Sequence, residues 1–326
     1  MTPQTGATPD PAGPPLVVIA GATATGKTGL AIRLAEWLAE QGRVAEVISA
    51  DSRQVFRGLD IGTAKATPRE RARVPHHGLD LVEPDEPFSV AAFARHARDV
   101  LADLGRREAI AILAGGTGLY LRAVARGLDT DALPSDPAVR ARIETALASE
   151  GLQPAAARLS AIAPILAASI DLHNPRRVGR ALEIAELRGD GPLPRPLGYP
   201  GPVTWIGLTV DAVLHARWIA ARARAQFDAG LVEEARALRE RFDPGLPAFS
   251  AIGYRESWAV LDGELTREAA IELDAARNVA FAARQRTWFR SEPGIEWFDI
   301  GDGPPDEMTR RKIRPLMEES AVRPHS

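Results

Sequence analysis

Residues 21–28 read Gly-Ala-Thr-Ala-Thr-Gly-Lys-Thr, directly after the apolar run Leu16-Val17-Val18-Ile19-Ala20 and before a pattern of helical period. This is the spacing G-x-x-x-x-G-K-[ST] between a strand and a helix, and its chemistry follows from its geometry. Gly21 and Gly26 let the backbone wrap closely. Successive N–H groups through Ala22, Thr23, Ala24 and Thr25, together with the helix N-terminus, then point at an anion. Lys27 adds a point charge for terminal phosphate oxygens, and Thr28 a hydroxyl of the kind that holds Mg²⁺. Of 40 basic residues only Lys27, Lys65 and Lys312 are lysines, so a chain that writes its positive charge as Arg has placed one of its few lysines here. The loop predicts a polyphosphate ligand. Which polyphosphate it leaves open, although ATP is the commonest employment of such a loop.

A phosphate loop usually travels with an apolar strand ending in Asp, which organises Mg²⁺ for phosphoryl transfer. The apolar stretch 109–114 runs instead into Gly115-Gly116-Thr117-Gly118, whereas Glu46-Val47-Ile48-Ser49-Ala50 ends in Asp51. Asp51 follows the strand next in sequence to the phosphate loop and is expected at the same sheet edge; the alternative is a solvated turn carboxylate. The stretch that follows, Ser52 to Lys65, is dense in donors and acceptors of the base-edge type, and Arg53 and Gln54 suit purine recognition.

Alternating strands and helices must position these groups. Residues 16–20 read as a strand and 27–41 as a helix with Leu30, Ile32, Leu34, Ala35 and Leu38 on one face. A strand follows at 44–49, then a helix N-capped by Ser89 and running to about 104, then a buried strand at 109–114. This order predicts an α/β fold, a P-loop-containing parallel sheet with flanking helices and its ligand at the carboxyl ends. From residue 129 the texture becomes Ala/Arg/Leu-rich, with no strand signal until 203–208 and a Pro/Gly-rich hinge at 189–202. The expected organisation is a disordered tail at 1–15, a core at 16–129, an all-helical insertion domain at 130–200, the rest of the core at 201–300 and a frayed tail at 301–326.

At 326 residues with 45% apolar and 25% charged content the chain suits a globular protein with ample core. A net charge of −3 confines any nucleic-acid site to a local patch. The absence of Cys excludes disulfides, a thiol nucleophile and thiolate metal sites, and fits a cytoplasmic protein. No apolar run approaches the ~20 residues that span a bilayer, so no membrane role is expected. His76-His77 lacks a further ligand at metal spacing and reads as a loop or cap.

The stretch Ala50-Asp51-Ser52-Arg53-Gln54-Val55-Phe56-Arg57-Gly58-Leu59-Asp60-Ile61-Gly62-Thr63-Ala64-Lys65 resembles the signature of the bacterial tRNA dimethylallyltransferases, or tRNA isopentenyltransferases. Further elements follow in order: Leu113 to Leu121 around Gly-Gly-Thr, Asn174-Pro175-Arg176-Arg177-Val178-Gly179-Arg180, Ala251-Ile252-Gly253-Tyr254-Arg255-Glu256, and Arg284-Gln285-Arg286-Thr287-Trp288-Phe289-Arg290. The resemblance implies transfer of a dimethylallyl group from dimethylallyl diphosphate to N6 of adenosine 37 in tRNAs reading codons that begin with U. It implies Mg²⁺ as cofactor, with Thr28 as its protein ligand, and the tRNA anticodon stem-loop as partner of a monomeric enzyme. Residues 23–28 are implied to grip the donor, Asp51 to act as general base, Thr117 to lie beside the reacting centre, and Arg222 to contact diphosphate. Implied tRNA contacts are Asp51, Ser52, Arg53, Gln54, Thr117, Arg140, Arg176, Arg177, Val178, Gly179, Arg180, Gly253, Tyr254, Arg255, Arg284, Gln285, Arg286 and Arg290.

The chain departs from the pattern at several places. Phe56 stands for the usual Tyr, Ala22 for a Pro, Trp218 for an Arg, Ala283 for a basic residue and Ser250 for Gln or Arg. No Cys/His pair follows, so the zinc-finger extension of eukaryotic relatives is not expected. A small-molecule kinase, a transferase acting on free adenine nucleotides and a non-catalytic RNA-binding module are the competing readings. The last is disfavoured by the complete loop with Asp51, and the second by the Arg-bearing segments. The clusters Arg69/Arg71/Arg73, Arg236/Arg239/Arg241 and Arg310/Arg311/Arg314 read as solvated surface.

Overall fold

The computed structural model describes residues 13–321. The expected N-terminal tail falls mostly outside the described residues. Gly13–Pro15 are already placed, because the Tyr199 hydroxyl donates to the Pro14 carbonyl at 2.7 Å and the Ala111 N–H to that of Pro15 at 2.9 Å.

The chain forms two compact units, residues 13–126 with 199–321, and Gly127–Gly198. In the first, β1 (Leu16–Gly21), α1 (Lys27–Glu40), β2 (Ala45–Ser49), α2 (Pro68–Arg73), β3 (His76–His77), α3 (Val90–Arg106), β4 (Ile110–Gly115) and α4 (Gly118–Ala125) precede the second unit. The second unit holds α5 (Pro137–Glu150), α6 (Leu152–Ile162), α7 (Pro164–Ala168) and α8 (Pro175–Arg188). The first resumes with β5 (Val203–Thr209), α9 (Ala212–Asp228), α10 (Leu231–Arg239), a 3-10 turn, α11 (Tyr254–Leu261), α12 (Arg267–Arg290), β6 (Glu296–Asp299) and α13 (Asp306–Ala321).

Six parallel strands lie in the order β3-β2-β4-β1-β5-β6. Every residue of β1 and β4 is buried, which explains their unbroken apolar sequences: with side chains alternating across the sheet, both faces are covered. Leu16, Val18 and Ala20 pack on one face with Phe93, Phe249, Trp258 and Phe289. Val17 and Ile19 pack on the other with Leu30, Leu34 and Leu38 of α1. The phosphate loop, Asp51 and the Gly115–Gly118 turn leave β1, β2 and β4 at their carboxyl ends, side by side in the sheet.

Gly115 shows how tightly those ends fit. The Ala50 N–H donates to the Ala114 carbonyl at 2.8 Å, and the Ala50 carbonyl accepts from the Thr117 N–H at 3.1 Å. A Cβ on Gly115 would lie 2.1 Å from the Ala50 oxygen, a backbone atom that cannot swing away. Gly115→Ala is expected to cost about 1–3 kcal/mol, read as a fall of several degrees in Tm.

Residues 301–326 were expected as a frayed tail, and the structure corrects this over α13. Ile313 and Leu316 recur at i, i+3 and are buried in the α1-side core, while Arg33 of α1 donates twice to the Asp306 carboxylate, at 2.8 and 3.0 Å. The dense charge of the segment hid this narrow apolar stripe. Residues 322–326 lie outside the described residues.

The Gly127–Gly198 unit has its own core of Ile143, Leu159, Leu166, Val178, Leu182 and Ile184. Within it Glu183 is fully buried. Its carboxylate accepts the Asp136 N–H at 2.9 Å, the Ser135 hydroxyl at 3.2 Å and the guanidinium groups of Arg140 and Arg180, the last at 2.6 Å. A buried carboxylate needs such compensation. These partners hold its carboxyl below the usual range against the opposing effect of burial.

Candidate active site

The phosphate loop is held by its own backbone and by two distant helices. Gly26 takes φ +75°, a left-handed conformation at which a side chain is strained, and hands the chain to α1. The Thr25 hydroxyl donates to the Ala22 carbonyl at 2.8 Å, and Lys27 Nζ to the same oxygen at 2.6 Å. Gln285 of α12 accepts the Thr23 N–H at 2.8 Å and donates to the Gly116 carbonyl at 2.9 Å, joining the loop after β1 to the turn after β4. His215 of α9 hydrogen-bonds the Thr23 carbonyl at 2.8 Å. Burial pushes the Lys27 ammonium down to about 8; Asp51 opposes this and Arg222 adds to it.

Asp51 stands after β2, with one carboxylate oxygen accepting the Arg53 N–H at 2.8 Å. The Thr117 hydroxyl accepts the Ser52 N–H at 3.0 Å, which ties the Asp51 turn to the Gly-Gly-Thr element and leaves the hydroxyl proton available. Arg222 of α9 lies near enough to act on Lys27, and its guanidinium is 3.4 Å from Asn278 Oδ1. Burial lowers its proton affinity, with the charges of Asp274 and Asp51 opposing. Asn278 also donates to Asp274 Oδ1 at 2.7 Å. Asp274 is pushed up to about 6 by burial, with Asn278 opposing and the Glu256 charge adding. Cations and a carboxylate therefore share one edge.

The segment after Asp51 is fixed from below. Lys65 is buried, and its ammonium reaches the Phe56 carbonyl at 2.8 Å and the carboxylates of Asp60 and Asp80 at 2.6 Å. Glu234 of α10 accepts the successive N–H groups of Asp60, Ile61 and Gly62. Gln54 was expected to read a base edge, but its amide accepts from Ser49 at 2.7 Å and donates to the Thr63 and Ala64 carbonyls at 3.0 and 3.2 Å. Both ends of that amide are taken up in holding its own loop. Arg53 reaches the Pro247 carbonyl at 3.0 Å.

Several other residues expected to contact RNA also have partners within the protein. Tyr254 is fully buried, with its hydroxyl donating to Glu234 at 2.8 Å, and Gly253, at φ +108°, starts α11. Gln285 is the clamp already described. Val178 lies in the core of the helical unit, Gly179 backs onto Leu147, and Arg140 and Arg180 converge on Glu183, Arg180 also holding the Leu133 and Pro134 carbonyls. Arg255, Arg284 and Arg290 are exposed, as are Arg176 and Arg177, whereas Arg286 is half-buried against His215. Asn174 caps α8 through the Arg176 and Arg177 N–H groups, fixing the turn that carries the two exposed arginines. His77 pairs with Glu46 at 2.6 Å, and no cluster of metal-ligating side chains occurs among the described residues. His215, Asn278, Asp274 and Glu234 were not anticipated: each lies in a helix far along the chain, and nothing in its sequence neighbourhood announces the loop it supports.

An anion cradle and an opposed carboxylate, at the carboxyl edge of a parallel sheet, make the site of a P-loop group-transfer enzyme. The IPP transferase family model matches residues 54–292, and the chain belongs to that family. A tRNA dimethylallyltransferase of Anaeromyxobacter sp. (strain K) is 45% identical over 92% of this chain and 97% of its own length. The full-length tRNA isopentenylpyrophosphate transferase of Bacillus halodurans superposes with a TM-score of 0.68 at 38% identity, over 94% of this chain and 97% of that one. A eukaryotic dimethylallyltransferase acting on tRNA shares the fold, with a TM-score of 0.75 at 23% identity over 95% and 80% of the two chains.

Proposed function

We propose that this enzyme moves the dimethylallyl group of dimethylallyl diphosphate to N6 of adenosine 37 in tRNAs reading codons that begin with U. The observation that supports the reading is that Asp51, just after β2, lies near enough to Lys27 and Arg222 at the phosphate loop for its charge to act on both. The loop N–H groups, Lys27 and Arg222 hold the diphosphate. As the C–O bond to it breaks, its developing charge meets cations already in place. The adenine, unstacked from its loop, brings N6 to the prenyl carbon. An exocyclic amine is a weak acid, so its proton passes to the Asp51 carboxylate as the C–N bond forms. The Thr117 hydroxyl, fixed by the Ser52 N–H, can donate to the base at the reacting centre.

The donor set fits Mg²⁺. Thr28 in the first turn of α1 offers a hydroxyl oxygen, the kind of site in which this ion takes one or two protein ligands and the rest from phosphate and water. Mg²⁺ there would neutralise diphosphate charge. No helix among the described residues is long and apolar enough to cross a membrane, and we take the enzyme to work as a cytoplasmic monomer.

The test is incubation of the purified chain with Mg²⁺, labelled dimethylallyl diphosphate and tRNA. N6-isopentenyladenosine at position 37 is expected; label on free AMP with tRNA untouched would reject the reading. For the tRNA we assign exposed arginines on both units: Arg176 and Arg177, and Arg255, Arg284 and Arg290. Arg176→Ala with Arg177→Ala is expected to weaken tRNA binding and flatten its log–log salt dependence by about 1.5, two phosphate contacts' worth. Arg180→Ala is expected to leave that slope alone and lower Tm, because it uncovers the buried Glu183 carboxylate.

A further inference from the structure

We propose that Arg286, oriented by His215, is an additional ligand for the diphosphate end of the prenyl donor; the inference rests on the reading of the loop as a diphosphate cradle. His215 is 1% exposed, with Nε2 2.8 Å from the Thr23 carbonyl oxygen and Nδ1 2.9 Å from Arg286 Nη1. A carbonyl only accepts and a guanidinium only donates. Nε2 therefore carries the proton and Nδ1 presents its lone pair to Arg286, which defines a neutral imidazole in one tautomer. Burial first, then the charges of Arg286, Lys27 and Arg222, hold its proton affinity down, opposed by the Thr23 carbonyl. His215 joins the phosphate loop to the guanidinium without adding charge.

Three features point that guanidinium at the donor rather than at RNA. First, Gln285 clamps the Thr23 N–H while Arg286 is held, through His215, to the Thr23 carbonyl, so neighbouring residues of one turn of α12 address one residue of the loop. Second, among the described residues no carboxylate lies within ion-pair distance of Arg286, Lys27 or Arg222. In contrast Arg122 and Arg126 are both paired with Glu292, just past the end of α12, at 2.7 and 2.8 Å. Cations gathered round this loop with no carboxylate paired directly to them repel one another, and a multiply charged anion relieves that repulsion. Third, α9 offers no cation at Trp218, whose ring packs with Leu214 and Met317 against the apolar core. The cation from α12 stands beside the one that α9 supplies at Arg222.

The test titrates inorganic diphosphate with Mg²⁺ calorimetrically into the full chain and its variants, with tRNA binding measured in parallel. Arg286→Met is expected to raise the diphosphate Kd about tenfold or more, the weight of one charge-assisted hydrogen bond, and the donor KM with it. tRNA affinity and its salt slope should stay as they were. Arg286→Lys is expected to recover part of the loss. His215→Leu should move the donor KM the same way and add little in the Arg286→Met background, because the two act as a unit. An unchanged diphosphate Kd in Arg286→Met, or a loss confined to tRNA with a flatter salt slope, overturns the assignment. Lys27→Met is the reference. If it weakens diphosphate and Arg286→Met does not, only this assignment falls; if it too leaves diphosphate binding unchanged, the cradle reading falls and this one with it.

Discussion

Asp51→Asn is expected to lower kcat by about 10²-fold or more while tRNA binding persists, the scale of a lost general base. The substitution is nearly isosteric, and the amide oxygen can still accept the Arg53 N–H that shapes the turn. The Ser52–Thr117 bond that fixes the neighbouring backbone does not involve the side chain at all. What disappears is the place for the N6 proton. Single-turnover measurement at saturating donor and tRNA isolates the chemical step, and a rate near that of the unchanged enzyme would remove Asp51 from the role.

Lys27→Met is expected to reduce kcat/KM for the donor by about 10²–10³-fold, since the ammonium meets charge that grows as the C–O bond breaks. A pH dependence accompanies it. Burial has lowered Lys27 to about 8, so the free loop is cationic below that pH and loses its charge as pH rises through it. Donor affinity should therefore decline above pH 8. A bound diphosphate favours the ammonium, so binding at pH 8.5 should take up a proton. Calorimetry in buffers of different ionisation enthalpy reads that uptake directly. It should vanish in Lys27→Met, and its persistence there would assign the proton to another group.

Some of this was legible in the chain and some was not, for reasons that differ by residue. The loop at 21–28 and the turn at 51–52 are local: a few consecutive residues carry both the geometry and the chemistry, so spacing suffices. Ser89 shows the same on a small scale, its side chain capping α3 through the Ala92 N–H at 3.1 Å. The internal partners of Gln54, Tyr254 and Gln285 were not legible, because a polar side chain in a motif has the same letter whether it faces a partner or the interior. Gln285 is 7% exposed with both ends of its amide engaged, which no pattern along α12 could have shown. α13 was missed because its buried stripe is narrow and its remaining positions are charged.

By itself the sequence determined the parallel α/β sheet, the glycine-rich loop after β1, the carboxylate after β2 and the family, because period, turn chemistry and short motifs are properties of neighbouring residues. Only the tertiary structure decided which cations remain without a directly paired carboxylate. Arg140 and Arg180 are taken by a buried Glu183, while Lys27, Arg222 and Arg286 gather round the loop from α1, α9 and α12. The physical reason is that pairing and burial depend on what packing brings within a few ångströms. Here that joins residue 23 to residues 215 and 285, a proximity that spacing along the chain does not encode.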